Sequence, residues 1–378
     1  MDWTRLEHLT AIHILWIALF LGAWMVQLFY WFYFFLRLAR YKSTSTHVPD
    51  HPVSIVICAK NEEKNLMECI PLLMEQVYKE FEVIVVNDSS RDDTEEILKA
   101  LQVSFGKLRV VHLNEDKQNM HGKKFALTLG IKAAKYDSIL LTDADCRPVS
   151  PHWISRMAVN AESKLELRLG FSPYAKHPGW LNRIIRFDTW MIGIQYLGFA
   201  RAGIPYMGVG RNLSYNRQLF FRIGGFKKHY HLTSGDDDLM VNEAANAKNT
   251  GIEISVDSQV VSEPKKTWGE WFRQKKRHFT TAPLYKSSHK SWLLMLPFSY
   301  ALMWMTLAGA IIALPELWIL SGFVLLRIIV QIAILHSISK KMGQADLVWT
   351  APIVEFKLIF LNAGLYISNL VLKPKKWN

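Results

Sequence analysis

The sequence is poor in cysteine and contains no repeated or low-complexity segment. Its 378 residues include three cysteines, Cys58, Cys69 and Cys146, whose spacing matches no metal-binding or redox motif. An odd and unpatterned set of this kind argues against a disulfide framework. We therefore expect three reduced thiols in a domain that faces the cytosol.

Charge is missing from one long stretch near the N-terminus, since no charged residue lies between Glu7 and Arg37. As a helix rising about 1.5 Å per residue, the apolar stretch 9–36 is longer than the ~30 Å hydrocarbon core of a bilayer. It is too long for a signal peptide, and its basic residues follow it instead of preceding it. Residues 1–42 are predicted to be a retained transmembrane anchor, with the N-terminus outside and the next loop in the cytoplasm.

Apolar sequence returns at the other end of the chain, where residues 291–378 are predicted to form a second membrane region. Two spans are expected, at 292–314 and 317–338, with Pro-Glu at the break between them. A third stretch, 347–372, is long enough to span but holds an acid and a base, and a full span would put three lysines outside. We predict that it is re-entrant or interfacial, with the C-terminus in the cytoplasm.

The intervening residues, 48–285, are predicted to be a water-soluble cytosolic domain. Runs rich in β-branched residues alternate with segments of helical periodicity, which favours βαβ units and a parallel sheet. The fold class is therefore α/β, a mostly parallel central sheet with flanking helices, with transmembrane helices at both ends of the chain. Strands are predicted at 53–58, 81–86, 108–113 and 138–141, and helices at 62–76, 92–101 and 123–134.

Polar residues follow three of these strands, at the strand ends where ligands bind in parallel sheets. Asn61 and Glu62 follow the first, Asp88 the second, and Asp143 and Asp145 the fourth. Alternate carboxylates on an extended segment point two oxygens toward one cation, and a hard divalent ion that bridges diphosphate oxygens needs only one or two of them. The pattern favours a divalent-cation site.

The chain is basic, with 45 Lys and Arg against 33 Asp and Glu, a net charge of +12. Such an excess suits nucleic acid, anionic lipid or phosphorylated substrates. Because the basic residues border the membrane segments and do not form one basic and aromatic face, no nucleic-acid partner is expected. Residues 265–276 combine basic residues with Trp268, Trp271 and Phe272, which predicts a helix lying on the membrane surface.

At this point the chain resembles the family 2 glycosyltransferases, over about residues 52–280. The resemblance implies the nucleotide-diphospho-sugar transferase fold, a GT-A-like fold. It is carried by the Lys-Asn-Glu-Glu turn of 52–63, the acidic turn of 81–94, Gly-Lys-Lys-Phe-Ala-Leu at 122–127, Asp-Ala-Asp at 143–145, Gly-Val-Gly-Arg-Asn at 208–212, Gly-Gly-Phe at 224–226, Gly-Asp-Asp-Asp-Leu at 235–239 and Gln-Lys-Lys-Arg-His at 274–278.

On the donor side, the resemblance implies that Asp88 accepts a hydrogen bond from the nucleotide base, with Asn61 and Glu62 in the same site. Asp143 and Asp145 would hold Mg²⁺ or Mn²⁺ against the diphosphate. Lys123 would steady the diphosphate or the acidic cluster.

On the acceptor side, the resemblance implies that Asp236 is the general base for the acceptor hydroxyl. Asp237 or Asp238 remain alternatives, since Gly235 stands where the family has Glu and three aspartates follow it. Arg277 and Gln274 would cover the leaving diphosphate. His278 replaces the family's Trp near the acceptor channel, which weakens a reading as a long-polymer synthase.

These features predict an inverting, metal-dependent hexosyltransferase. It would move a sugar from a nucleotide-diphosphate donor to a lipid or lipid-linked acceptor at the cytoplasmic face of a bacterial inner membrane, in glycolipid or cell-envelope synthesis. A processive polysaccharide synthase is the first alternative, although three or four spans are few for a pore. A catalytically silent sugar-nucleotide-binding membrane protein is the second.

Overall fold

The computed structural model describes residues 10–43, 51–113, 122–160, 164–232 and 234–371. Nine strands form two sheets in these ranges. They are β1 Val53–Ala59, β2 Phe81–Asp88, β3 Leu108–Leu113, β4 Ser138–Leu141, β5 Cys146–Pro148, β6 Leu167–Leu169, β7 Leu213–Asn216, β8 Thr250–Ile252 and β9 Val260–Ser262.

Helices flank the larger sheet and extend beyond it at both ends of the chain. The first helix continues from α1 through a π-helical turn, Trp31–Phe35, into α2. The helices are α1 Ala11–Tyr30, α2 Leu36–Ala39, α3 Glu63–Met74, α4 Thr94–Ser104, α5 Lys123–Ala133, α6 Trp153–Met157, α7 Trp180–Arg201, α8 Arg217–Arg222, α9 Asp238–Ala244, α10 Trp268–His278, α11 Ser287–Ala313, α12 Ser321–Met342 and α13 Ala351–Val371.

The larger sheet has the order β3-β2-β1-β4-β7-β6-β8, and the smaller one pairs β5 with β9. Strands β3, β2, β1 and β4 are parallel, β7 runs antiparallel to both of its neighbours, and β8 is again parallel to β6. The prediction of a mostly parallel sheet with flanking helices is confirmed. The predicted strands 108–113 and 138–141 have the observed bounds, while β2 extends two residues further than predicted, to Asp88.

Strand β1 is apolar along its length because both of its faces are covered. Ile55 and Ile57 pack in the same core as α3 and α4, whereas Val56 packs in the core that contains α5. Gly130 on α5 permits a close approach there, since a Cβ at this position would lie 2.5 Å from a methyl of Val56. The strand ends are thereby fixed between two helical layers.

Four helical segments are long and apolar enough to cross a membrane, by length and composition: Ala11–Ala39, Ser287–Ala313, Pro315–Met342 and Ala345–Ser368. The first two pack against each other through Phe20 and Ala23 on α1 and Met303 and Leu307 on α11. The chain is thus built as a membrane protein, and the domain bounds drawn from the sequence remain a prediction.

The ends of two of these long apolar helices are buried in the core of the α/β domain. Phe34, in the π-helical turn, stacks on Phe199 of α7 with 4.1 Å between ring centroids. Ile338 and Met342, in the last turns of α12, are fully buried in the same core. The Lys341 ammonium donates to the carbonyl of Ala39. The domain and its anchors therefore share one hydrophobic core.

The charged residues within the apolar helices are paired. Arg327 on α12 donates through both terminal nitrogens to Glu355 on α13, each at 2.8 Å. Gln331 accepts from the same guanidinium at 2.6 Å and Gln27 on α1 at 3.0 Å. Ionisable groups at membrane depth are tolerated when paired in this way, so this cluster joins three helices.

Helix α13 is continuous and contacts the α/β domain at two separated positions. The Lys357 ammonium lies 5.4 Å from the ring centroid of Trp180 on α7, and Lys276 on α10 donates to the Ser368 hydroxyl. Its exposed apolar residues recur every seven positions, at Ile353, Phe360 and Ile367. This helix is also long and apolar enough to span a membrane, and the re-entrant or interfacial placement of 347–372 remains a prediction.

Candidate active site

Hydrogen bonds join the turns after β1 and β2 at the carboxyl edge of the sheet. Asn61 adopts a left-handed backbone, with φ 58°. Its amide donates to the Ser90 hydroxyl at 3.0 Å, and its side-chain oxygen accepts from the Arg91 amide at 2.8 Å. Asn61 therefore builds the turn that presents its neighbours.

The acidic residues of these two turns lie in different surroundings. Asp88, the last residue of β2, is buried with the Lys60 ammonium 4.0 Å from its carboxylate. Glu62 accepts a hydrogen bond from Asn65 at 2.6 Å. Burial, followed by the charges of Asp145 and other acids, raises the pKa of Glu62. Glu62 thus belongs to the same electrostatic cluster as the Asp-x-Asp segment.

The Asp-x-Asp segment follows β4 and gathers ligand atoms. Oxygens of Asp143 and Asp145 and the sulfur of Cys146 lie within 4.8 Å of one another. Burial and then the charge of Asp143 raise the pKa of Asp145, so an added cation would relieve both effects. The two carboxylates fit a hard divalent ion, whereas burial keeps the Cys146 thiol protonated by raising its pKa.

Lys123, the first residue of α5, forms ion pairs with Asp143 of the Asp-x-Asp segment and with Asp236. Its ammonium lies 2.8 Å from Asp143 Oδ1 and 3.1 Å from Asp236 Oδ2. Burial alone would lower the pKa of Lys123, but these two carboxylates raise it well above its usual value. Burial would raise the pKa of Asp236, and the charge of Lys123 lowers it instead. Asp236 is therefore held ionised. It lines a small pocket together with Lys123, Asp143 and Gly210, and we call this pocket the cleft.

The three consecutive aspartates have different partners. Asp237 accepts from the Gly210 amide at 2.7 Å and from the Asp238 amide at 2.8 Å, at the start of α9. Asp238 is buried and accepts from the hydroxyls of Thr281 and Tyr285, the latter at 2.7 Å. Asp236 alone of the three pairs with Lys123 beside Asp143, so it has the position expected of a base.

Sequence and structure comparisons identify the family and the fold of this domain. Residues 54–222 match the model of the family described as "Glycosyl transferase family 2". The chain carries a family 2 glycosyltransferase domain.

Among its curated relatives, glycosyltransferase GlyG of Streptococcus pneumoniae is 33% identical over 93 residues, 25% of this chain and 30% of the relative. Glycosyltransferase AglE of Haloferax volcanii is 25% identical over 236 residues, 60% of this chain and 71% of the relative. A solved mannosyltransferase from Pyrobaculum calidifontis is similar with a TM-score of 0.57 at 19% identity, covering 90% of this chain and 97% of that one. The last comparison establishes the GT-A-like fold.

Helix α10 contributes the predicted Gln274 and Arg277 to one side of the glycosyltransferase domain. The Gln274 amide donates to the Tyr174 hydroxyl at 2.9 Å. The buried Arg277 Nε has no hydrogen-bond partner among the described residues. Crowding of the His278 ring by protein atoms and then the charges of Arg277 and Lys275 lower the pKa of this imidazole, although the side chain still reaches solvent.

The same helix corrects part of the surface-helix prediction. Trp271 is buried, and the buried Lys275 ammonium lies 2.8 Å from both oxygens of Asp188. Only Trp268 remains substantially exposed on this aromatic segment. Because Trp271 packs inside the protein, the combination of basic and aromatic residues partly reflects packing against α7.

Two cations of the glycosyltransferase domain escaped the sequence reasoning. Arg211 lies 4.5 Å above the Tyr174 ring and donates to the Ser262 hydroxyl at 2.6 Å. Burial would lower the pKa of Arg211, but nearby groups that include Asp145 raise it, so its charge faces the Asp-x-Asp segment. Its position within the Gly-Val-Gly-Arg-Asn motif was the available signal.

The second cation that the sequence did not single out is Lys124, which follows Lys123. Its ammonium donates to the carbonyls of His229 and Ser234, each at 2.6 Å, and to that of Leu232 at 3.2 Å. It thereby ties the segment before Asp236 to α5. The sequence could not predict this role, because the partners of Lys124 are backbone carbonyls, which every residue has.

Proposed function

We propose that the protein is an inverting glycosyltransferase that moves a sugar from a nucleotide-diphosphate donor to a lipid or lipid-linked acceptor at the cytoplasmic membrane face. The observation that carries this proposal is the convergence of Asp143, Lys123 and Asp236 at the sheet edge of a family 2 domain. Asp143 and Asp145 suit a cation. The ionised Asp236 is linked to Asp143 through Lys123, whose ammonium pairs with both carboxylates. Inversion by a single displacement needs one set of carboxylates for the metal ion and a separate carboxylate that takes the proton of the acceptor hydroxyl.

On the donor side, Asp88 accepts from the nucleotide base, and Asn61 and Glu62 shape the pocket around it. Asp143 and Asp145 hold Mg²⁺ or Mn²⁺, an ion that supplies positive charge to the diphosphate as the sugar–phosphate bond breaks. The Pyrobaculum mannosyltransferase was solved in complex with GDP-Man and Mn²⁺, which supports this class of donor and ion.

Arg277 and Gln274 stand on the other side of the leaving group. A guanidinium with an unpartnered Nε is available to donate to a diphosphate oxygen. Arg211 adds a second fixed positive charge, held by Ser262 and Tyr174. Such preorganised charges stabilise the developing negative charge without reorganisation.

Asp236 takes the proton from the acceptor hydroxyl. Lys123 keeps it ionised, and Lys124 fixes the segment that precedes it. Asp238 acts as a positioning residue, because Thr281 and Tyr285 occupy its carboxylate. A positioned base of this kind contributes about 10²–10⁴-fold in rate.

Several contacts support a lipid acceptor. Helix α10 carries Arg277 of the candidate site and also contacts α13 through Lys276 and Ser368. Helix α13 in turn exposes an apolar stripe. These contacts favour a cleft that lies beside elements suited to the membrane surface. We also propose that the amino-terminal side of the chain lies outside and the domain in the cytoplasm.

Release of nucleoside diphosphate by the purified full chain in detergent tests the proposal. A panel of donor sugars would be assayed with Mg²⁺, Mn²⁺ or chelator, alongside Asp145→Asn and Asp236→Asn. Asp257→Asn, which removes a half-exposed acid, serves as the matched control. Metal-dependent release from one donor, lost in both site variants and kept in the control, supports the transferase. No release from any donor, even with added membrane lipid extract, would favour a silent nucleotide-sugar-binding protein.

A further inference from the structure

A cavity of about 420 Å³ lies between the N-terminus of α7 and the turn that leads into α13. Its volume is in the range of sites that hold small ligands. The charged residues that line it are Lys176, Arg183, Arg186 and Asp346, and His177 lies at its edge. We call it the basic cavity, and none of these residues has a place in the cleft described above.

The basic cavity carries an excess of positive charge. Arg186 donates through its terminal nitrogens to both oxygens of Asp346, at 2.8 and 2.9 Å, and the Lys176 ammonium lies 3.1 Å from the same carboxylate. Arg183 forms no ion pair with the described residues, although its guanidinium stacks on Trp180 at 5.5 Å. Three cations against one carboxylate leave two positive charges for an anionic ligand.

His177 also lines the basic cavity, whereas its acidic partner does not. Its Nε2 lies 2.7 Å from a carboxylate oxygen of Glu263, so the ring already has an acidic partner. The surplus charge rests on the lysine and the two arginines.

Two groups at the basic cavity lack partners. Arg186 is buried, yet its Nε makes no hydrogen bond with any described residue. An unpaired buried donor is costly, and a bound acceptor would remove that cost. Helix α7 begins beside it without a side-chain cap or an acid in its first turn, so its amino end also favours an anion.

The basic cavity lies where the domain meets the membrane helices. Asp346 belongs to the turn between α12 and α13, and Gln344 beside it accepts from Arg186 at 2.8 Å. Trp180, at the rim, is 56% exposed and lies under Lys357 of α13. An exposed tryptophan flanked by cations is typical of the membrane–water interface.

One short segment joins the basic cavity to the cleft. Tyr174 contacts both Gln274 and Arg211, and its backbone pairs with Ser262. Lys176 follows two residues later, about 7 Å along an extended chain. Residues 174–176 therefore connect the basic cavity to the side of the cleft that holds Gln274 and Arg211.

We propose that the basic cavity binds the phosphoryl group of a lipid-linked acceptor, whose lipid remains in the membrane while its sugar hydroxyl reaches Asp236. This inference rests on the proposed function and adds to it the anionic class of the acceptor. The charge surplus, the unpaired Nε of Arg186 and the position beside the membrane helices all suit a phosphate attached to a lipid.

Binding of farnesyl diphosphate to the full chain in neutral detergent tests the inference, with calorimetry as the readout. Farnesol and inorganic pyrophosphate serve as the uncharged and the lipid-free probes. We expect farnesyl diphosphate to bind, farnesol not to bind, and pyrophosphate to bind at least tenfold more weakly. The double variant Lys176→Gln/Arg183→Gln should weaken the first by about tenfold or more, since charged hydrogen bonds are lost.

Matched variants separate this effect from general changes in charge or folding. Lys99→Gln/Lys132→Gln removes two exposed lysines from α4 and α5 and should leave binding unchanged. Lys176→Arg/Arg183→Lys keeps both charges and should retain most of the affinity. Equal binding to the Lys176→Gln/Arg183→Gln protein would overturn the proposal, and equal affinity for pyrophosphate would assign the basic cavity to a free phosphate compound instead.

Acceptor-free release of nucleoside diphosphate distinguishes this failure from failure of the proposed function. Donor hydrolysis that persists while farnesyl diphosphate fails to bind would reject the inference alone. Binding that depends on the two cations, in a protein that cleaves no donor, would reject the transferase activity and leave a lipid phosphate site.

Discussion

The cleft and the basic cavity are both suited to phosphate, yet their charges are opposite. The cleft presents Asp143, Asp145 and Asp236 around one lysine, whereas the basic cavity presents three cations around Asp346. Acids at the cleft would meet a diphosphate through a metal ion, which can leave with the product. Cations in the basic cavity would meet it directly and hold it. Chemistry and anchoring are thus divided between two adjoining sites.

The largest expected effect is on the cleft, at Asp236. Asp236→Asn should lower the turnover of transfer by about 10²–10⁴-fold, because the amide cannot accept the proton. Farnesyl diphosphate binding should not change. Steady-state transfer and calorimetry on one preparation measure both, with Asp257→Asn as control. A parallel loss of turnover and of lipid binding would contradict the separation of the two sites.

Metal removal should have the second-largest effect. Chelator should abolish nearly all donor cleavage, on the order of 10³-fold, since several kcal/mol of charge stabilisation are lost. Asp145→Asn should shift the half-maximal Mn²⁺ concentration upward, while lipid phosphate binding persists with chelator present. Lipid binding that requires Mn²⁺ would mean that the two sites are one.

Asp238→Asn should act more weakly than Asp236→Asn, by about tenfold in turnover. The amide keeps one acceptor for Tyr285 or Thr281 but loses the charge that orders both hydroxyls. Comparing the two variants at saturating donor gives the ratio. A loss as large as that of Asp236→Asn would make Asp238 the base.

The smallest effect concerns pH. Burial and the charges of Asp236 and Asp238 raise the pKa of Asp237 to about 7. An acid with a raised folded-state pKa holds its proton more tightly when folded, so its contribution to stability falls as pH rises from about 4 to 7 and is constant above that.

Asp237→Asn removes the titrating group, so the difference in Tm between variant and wild type should move in the variant's favour as pH rises from about 5 to about 7. Melting curves in chelator, at matched ionic strength, measure this difference. A difference in Tm that stays constant across this range would show that Asp237 does not titrate there.

The sequence located β1, β2 and β4 and the residues at their ends because these strands are buried along their length and end in turn residues. It located the edge strand β3 from its β-branched residues, although that strand is partly exposed. It could not assign Asp236 among three aspartates, since the choice depends on which carboxylate reaches Lys123. The basic cavity had no linear signal either. Lys176 and Asp346 are far apart in the chain, and only the packing of α7 against the start of α13 brings them together.

Because the ends of the membrane helices are part of the α/β core, the core can fold only after those helices have been synthesised. Ala39 accepts from Lys341, 302 residues later, and Gln27 accepts from Arg327, 300 residues later. A nascent chain that has exposed only its first membrane helix and the sheet still lacks the α12 turns that fill the core beside Phe34. The ribosome must therefore release nearly the whole polypeptide before the core can close, which makes folding of the domain inseparable from insertion of its last helices.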